Sequence, residues 1–264
     1  FARALNEQGI VVAGHDHLGH GKSLPEGGTP VYFGQGNTWN TVVDDIYVLH
    51  QRLKQRYPDV PLCIMGHSMG SFLTRTYLIR YPGTVKAAVI MGTGWQPQAA
   101  ITGGLALANA IAAVSGENAT SELVTELAFG SYNKLFAPNR TKVDWLSADE
   151  SNVDDYIADP LCGADATVGL FRQMLHGIRF NQRQSHLRQM DREMPVLFVA
   201  GDKDPVGSCG KGVRQTYDAF RAAGMRDCTL KLYPGLRHEI LNEKAYTADI
   251  TKNIEAWLLS RLEK

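Results

Sequence analysis

Short apolar runs punctuate the chain, each closed by glycine or proline: residues 9–15 (GIVVAGH), 61–66 (PLCIMG), 85–92 (VKAAVIMG), 195–201 (PVLFVAG) and 229–235 (TLKLYPG). Near-continuous apolarity over so few residues is the pattern of strands buried on both faces. Between the runs the period changes. Val42, Ile46, Leu49 and Leu53 step by four, three and four, and Ile250, Ile254, Trp257 and Leu258 repeat that spacing. A further helical stretch over 213–223 ends at Gly224, and residues 1–8 read as the end of a helix leading into the first run. Strand alternating with helix predicts an α/β fold whose mostly parallel sheet is covered by helices on both faces.

The alternation breaks once. From 96 to 190 no strand pattern is visible, only helical stretches over 105–114, 121–129 and 168–178 joined by polar segments. An excursion of that length is no connecting loop. It predicts a helical cap (96–190) inserted into a core made of 1–95 and 191–264. The Ala-rich stretch 99–114 is too short to span a bilayer and is interrupted by Gly103-Gly104, so it is expected to be a packed helix.

Candidate chemistry centres on Gly66-His67-Ser68-Met69-Gly70. This pentapeptide follows the run 61–65 and opens a helical segment over 69–81, the strand-turn-helix setting of a nucleophile elbow. The turn crowds the backbone around Ser68, so both glycines are expected to be sterically required. A serine hydroxyl needs a base to take its proton and a carboxylate to orient that base. Asp204 follows the run 195–200, and His238 follows 229–233 after a turn with Pro234-Gly235. The order Ser68, Asp204, His238 has the nucleophile first and the histidine last. Asp202 competes for the acid role; Asp204 is preferred because Pro205 restrains the chain just after it, while Asp202 can cap the following turn.

The other histidines have simpler explanations. His15, His17 and His20 lie in the turn after the first run, where local hydrogen bonding is expected. His50, His176 and His186 fall in helical patterns, and His67 presents its backbone rather than its ring. The backbone N–H of Met69 is one candidate donor to an oxyanion. The second is expected from a loop ahead of the fold's first helix. No such loop precedes residue 9, so the chain reads as starting inside a longer enzyme, without its first strands.

Charge and cysteine usage narrow the classes. Twenty-seven basic and 27 acidic residues cancel, with no basic run, which argues against a nucleic-acid or anionic-membrane binder. Four scattered cysteines show no metal-type spacing and read as free thiols, which favours a reducing, cytoplasmic setting and no metal. Two nucleotide motifs fail on spacing: a P-loop ending at Gly21-Lys22-Ser23 needs glycine where Asp16 stands, and a dinucleotide fingerprint from Gly19 needs glycine where Leu24 stands.

The segments DHLGHGKS (16–23), GHSMGS (66–71), GDKDPV (201–206) and RHEILNE (237–243), with DWLS (144–147) and YIADPLC (156–162) in the cap, resemble the monoacylglycerol lipase and lysophospholipase group of α/β-hydrolases. The resemblance implies an α/β-hydrolase fold with Ser68 as nucleophile, His238 as base, Asp204 as its orienting acid and Met69 as an oxyanion donor. It implies a serine carboxylester hydrolase that cleaves a fatty-acyl ester, a monoacylglycerol or lysophospholipid, without cofactor and with transient contact to a lipid surface. Two alternatives stay open. A proline-iminopeptidase-like peptidase would use Glu117, Glu122 or Glu126 to hold an amine, and a non-catalytic ligand binder would keep the fold alone. A nucleophilic-aspartate enzyme is excluded by serine at 68.

Overall fold

The computed structural model describes residues 1–262. Its elements run in the order α1 (Ala2–Glu7), α2 (Thr38–Arg56), β1 (Cys63–His67), α3 (Met69–Arg80), β2 (Ala87–Met91), α4 (Gln98–Ser115), α5 (Glu122–Thr125), α6 (Ser131–Lys134), α7 (Glu150–Ala158), α8 (Val168–Asn181), α9 (Gln184–Leu187), β3 (Val196–Gly201), α10 (Lys211–Ala222), β4 (Cys228–Tyr233) and α11 (Thr247–Leu262). The four strands form one parallel sheet in the order β1-β2-β3-β4. Met65 lies opposite Val89, Val89 opposite Leu197, and Leu197 opposite Thr229.

Both faces of the sheet are buried, and the strands show why their sequence runs are continuously apolar. Ala88, Ile90, Val196 and Phe198 point into one core with Val42 and Val43 of α2, Leu73 and Tyr77 of α3, and Val213 and Phe220 of α10. Ala87, Val89, Met91, Leu197 and Val199 point the other way, onto Ile250, Ile254 and Leu258 of α11. The alternation of strand side chains thus feeds two cores at once.

One predicted strand is not formed. Residues 9–15 have no regular structure, and Val11 and Val12 are 63% and 41% exposed. A strand exists only through the backbone groups of a neighbour, and among the described residues none lies beside this run. Its apolarity signals burial on both faces, but apolarity cannot supply a ladder.

Between β2 and β3 the chain is helical, with one isolated antiparallel bridge from Thr120 to Thr167. Here the helix expected over 99–114 forms as α4, which runs through Gly103-Gly104. A Cβ on Gly104 would lie 2.9 Å from Leu175 Cδ1, so this glycine lets α4 approach α8 closely. The helix is 18 residues long with a mean hydropathy of 1.3, enough by length and composition to cross a membrane, although it packs on the molecule through Ile101, Leu105 and Ala108. The helical stretch expected over 121–129 forms and runs on to Lys134, with α5 passing through a π-helical turn (Glu126–Gly130) into α6. A π turn inserts an extra residue and re-aims the following side chains, here Phe129 and Tyr132, which both line the cavity described below.

Candidate active site

The turn from β1 into α3 places Ser68 at the carboxyl end of the sheet with φ 54° and ψ −121°, a conformation sparsely populated by any residue with a Cβ. Neighbouring hydrogen bonds hold it there. Ser68 N–H donates to Met91 O at 3.1 Å, and Ser68 O accepts from Ser71 N–H at 2.9 Å and Ser71 Oγ at 2.6 Å. The flanking glycines are not equivalent, which corrects the expectation drawn from the pentapeptide. A Cβ on Gly66 would fall 2.2 Å from Gly70 O and 2.4 Å from Thr74 Oγ1, whereas a Cβ on Gly70 would meet nothing within 4 Å outside its own helix.

Asp204 and His238 meet beneath the same rim. His238 Nδ1–H donates to Asp204 Oδ2 at 3.0 Å, with the histidine 3% and the aspartate 0% exposed. The other carboxylate oxygen, Oδ1, accepts from Val206 N–H at 2.9 Å. Asp202 instead accepts from Gly235 N–H at 2.8 Å with its Oδ1, capping the turn that leads to His238. Of the two aspartates, then, only Asp204 touches the imidazole.

Ser68 Oγ makes no hydrogen bond to His238, so of the three candidate residues only Asp204 and His238 are directly bonded. What lies near Ser68 and His238 is nevertheless defined. Trp145 lines the cavity that Ser68 opens into, and its ring stands 5.2 Å from the His238 ring. A Cβ on Gly92, the residue after Met91, would lie 3.0 Å from His67 Nε2 and 3.1 Å from His238 Cε1, so the absence of a side chain at 92 lets both rings settle there. Met69 N–H, first in α3, has no backbone acceptor and points its free donor out of the helix start.

His67 is the residue that sequence reasoning set aside. Its ring packs 4.5 Å from the His238 ring, and its Nε2–H donates to His238 O at 3.0 Å. Loss of hydration, then the neighbouring His238, pushes its pKa down to about 4, so it is a neutral donor at pH 7. Adjacency to the serine was the available signal. The ring's direction came only with the packing of the 238 loop onto the end of β1. His20 Nδ1 bonds Leu18 O at 2.9 Å, as the local reading of that turn expects, but His17 does not follow it: its Nδ1 is buried without a hydrogen-bond partner, and burial pushes its pKa down to about 4.

Above Ser68 a cavity of about 550 Å³ opens between core and cap. Ile101, Leu107, Phe129, Leu170, Phe171 and Leu175 make its walls apolar, and none of the residues lining it carries a carboxylate. The three glutamates available for binding an amine lie elsewhere: Glu117 pairs with Arg172, Glu126 with Lys134, and Glu122 is solvent-exposed. Among the described residues no cluster of His, Cys, Asp or Glu is arranged to hold a metal ion.

A parallel sheet flanked by helices, an elbow serine and a helical insertion over the rim define the α/β-hydrolase fold and a serine hydrolase. Residues 1–245 match the family described as "Serine aminopeptidase, S33", and the chain belongs to that family. It is 30% identical over 99% of its length to a protein of Mycolicibacterium smegmatis named monoacylglycerol lipase, of which it covers 82%. It is 27% identical over 99% of its length to the mouse monoglyceride lipase, covering 77% of that protein. The crystal structure of a thermostable carboxyl esterase from Bacillus coagulans, in complex with glycerol, superposes with a TM-score of 0.91 at 26% identity, covering 98% of this chain and 84% of that one.

Proposed function

We propose that this serine hydrolase cleaves monoacylglycerol, releasing a fatty acid and glycerol. The observation that carries the reading is the apolar, carboxylate-free cavity of about 550 Å³ that ends at Ser68. An acyl chain fits such predominantly apolar walls. The names of the mycobacterial and mouse relatives support the same substrate.

In this reading Ser68 Oγ attacks the ester carbonyl while His238 Nε2 takes its proton. The Asp204 carboxylate holds Nδ1–H and stabilises the imidazolium that forms. The developing oxyanion draws on Met69 N–H and the start of α3. Collapse expels glycerol, which takes the proton from His238. Water then attacks the acyl-enzyme by the same route and frees the fatty acid. The cap meets the lipid phase through the outer side of α4 and its surroundings, where Val114 is 89% and Leu127 65% exposed.

The aminopeptidase reading implied by the family description requires a carboxylate at the substrate amine, and the cavity wall offers none. The test compares hydrolysis of a long-chain monoacylglycerol with that of an aminoacyl anilide, and labelling by a fluorophosphonate, in wild type and Ser68→Ala. Ester turnover and labelling that both vanish in Ser68→Ala are the expected result; anilide turnover with no ester turnover would overturn it.

A further inference from the structure

A second cavity, of about 530 Å³, lies on the opposite side of α8 from the acyl cavity. Leu170, Phe171, Leu175 and Ile178 of this helix face the acyl cavity, while Arg172, His176 and Arg179, with Arg183 just beyond the helix end, face the second one. The spacings of four, three and four align those three arginines and the imidazole on one side. No aspartate or glutamate lines this space.

The charges there are only partly neutralised. Arg172 is held by Glu117. Arg179 Nη2–H donates to His176 Nδ1 at 3.0 Å, a bond between two groups that repel once the imidazole is protonated. Among the described residues Arg183 has no ion-pair or hydrogen-bond partner for its side chain. Desolvation, then Arg179 and Arg172, lowers the pKa of His176. Groups of one sign gathered around a concavity are stabilised by a counter-ion, and guanidinium forks match a phosphate in both geometry and charge. Asn40, in the first turn of α2, and Asn109 of α4 add amide side chains to the wall.

We propose that this cavity binds a phosphate group, either free in solution or carried by a lipid. Its position favours the lipid-borne form. Asn109 stands on α4, whose neighbouring Ala106, Ala110, Ala113 and Val114 are exposed, so an apolar surface and a phosphate-sized basic cavity adjoin on the same side of the cap. A basic site beside an apolar helix face is the combination that holds proteins at anionic membranes. The site is separate from the esterase cavity and does not depend on the identity of the ester substrate.

The test uses the full chain and the double variant Arg179→Gln/Arg183→Gln. Inorganic phosphate should raise the pH at which the His176 ring titrates by NMR, and should do so in the wild type only. Flotation with phosphatidylcholine vesicles containing phosphatidic acid should exceed flotation with phosphatidylcholine alone. Loss of two arginines should weaken that preference about thirtyfold, the combined effect of two basic groups near an anionic surface. Hydrolysis of a soluble short-chain p-nitrophenyl ester should be unchanged, and Arg179→Lys/Arg183→Lys should restore most of the vesicle preference. A phosphate response at His176 without vesicle preference assigns the site to free phosphate. No response in either arm overturns the proposal, as does a vesicle preference that the Gln variant retains, because that reports diffuse charge.

Discussion

At the scale of single residues, the elbow turns on close approach rather than on glycine content. Gly66 is needed because a methyl there would press into the backbone of Gly70 and the hydroxyl of Thr74. Gly66→Ala is therefore expected to destabilise by about 1–3 kcal/mol, the cost of overpacking, and to displace Ser68. Gly70→Ala is expected to leave stability unchanged or raise it by up to about 1 kcal/mol, because alanine is the better helix residue and the position is open. Thermal melts of the two variants check the contrast; equal destabilisation would show that the two glycines are sterically equivalent. The pentapeptide made Ser68 legible in the sequence. It gave no sign that one glycine is forced and the other is not, since that depends on which side of the turn the helix carbonyl falls.

At the scale of elements, the loop carrying His238 is tied to the cap. Arg237 donates from Nη1 to Asp144 O and Ser147 O, the latter at 3.0 Å, and its guanidinium lies 4.0 Å over the Phe136 ring. Glu243, 3% exposed, accepts from Ala148 N–H at 2.8 Å and Asp149 N–H at 3.2 Å, and Glu239 N–H donates to Leu146 O at 2.8 Å. These bonds enclose Trp145, the aromatic neighbour of His238. Arg237→Ala is expected to cost about 2–3 kcal/mol, since it removes charge-assisted bonds and leaves half-buried carbonyls without a donor. It should lower kcat for the ester more than it raises KM, because the base is displaced while the acyl cavity remains. Steady-state kinetics and a denaturant titration check both parts, and a variant with wild-type kcat would show that the tie is structural only. The residues of this tie were visible in the sequence as RHEILNE and DWLS, but 90 positions separate Arg237 from Ser147. Periodicity located the strands β1 to β4 and the main helices because burial imprints a period on each. It missed the π turn and wrongly assigned a strand to 9–15, because both depend on backbone partners that no side-chain pattern encodes.

At the scale of the whole molecule, folding holds two imidazoles neutral. His67 and His17 are each moved from 6.5 to about 4, His67 by lost hydration and then the charge of His238, and His17 by lost hydration and then His15. Between those two pH values the unfolded chain binds more protons than the folded one. Stability is therefore expected to be flat above pH 6.5 with respect to these groups and to fall as the pH drops toward 4. A shift of this size at His67 corresponds to about 3 kcal/mol over the window. His67→Gln keeps an N–H for His238 O and removes the titration, so its melting temperature should fall less steeply with acid than that of the wild type. Parallel curves for the two proteins between pH 4 and 6.5 would contradict the assignment. The same replacement leaves Ser68, Asp204 and Met69 untouched, so remaining activity at pH 7 reports how far His67 steadies the 238 loop.

The sequence by itself determined the α/β architecture, the interruption by a helical segment, and the candidate nucleophile Ser68 with its candidate partners in order along the chain. Each of those is written locally, in the period of apolar side chains or in a motif spanning a single turn. Tertiary structure alone decided that Asp204 rather than Asp202 reaches the imidazole, that His67 faces His238, that the acyl cavity lacks a carboxylate, and that α8 divides an apolar cavity from a basic one. These are distances between groups far apart in the chain, and they arise only when the two faces of the sheet and the cap are packed against one another.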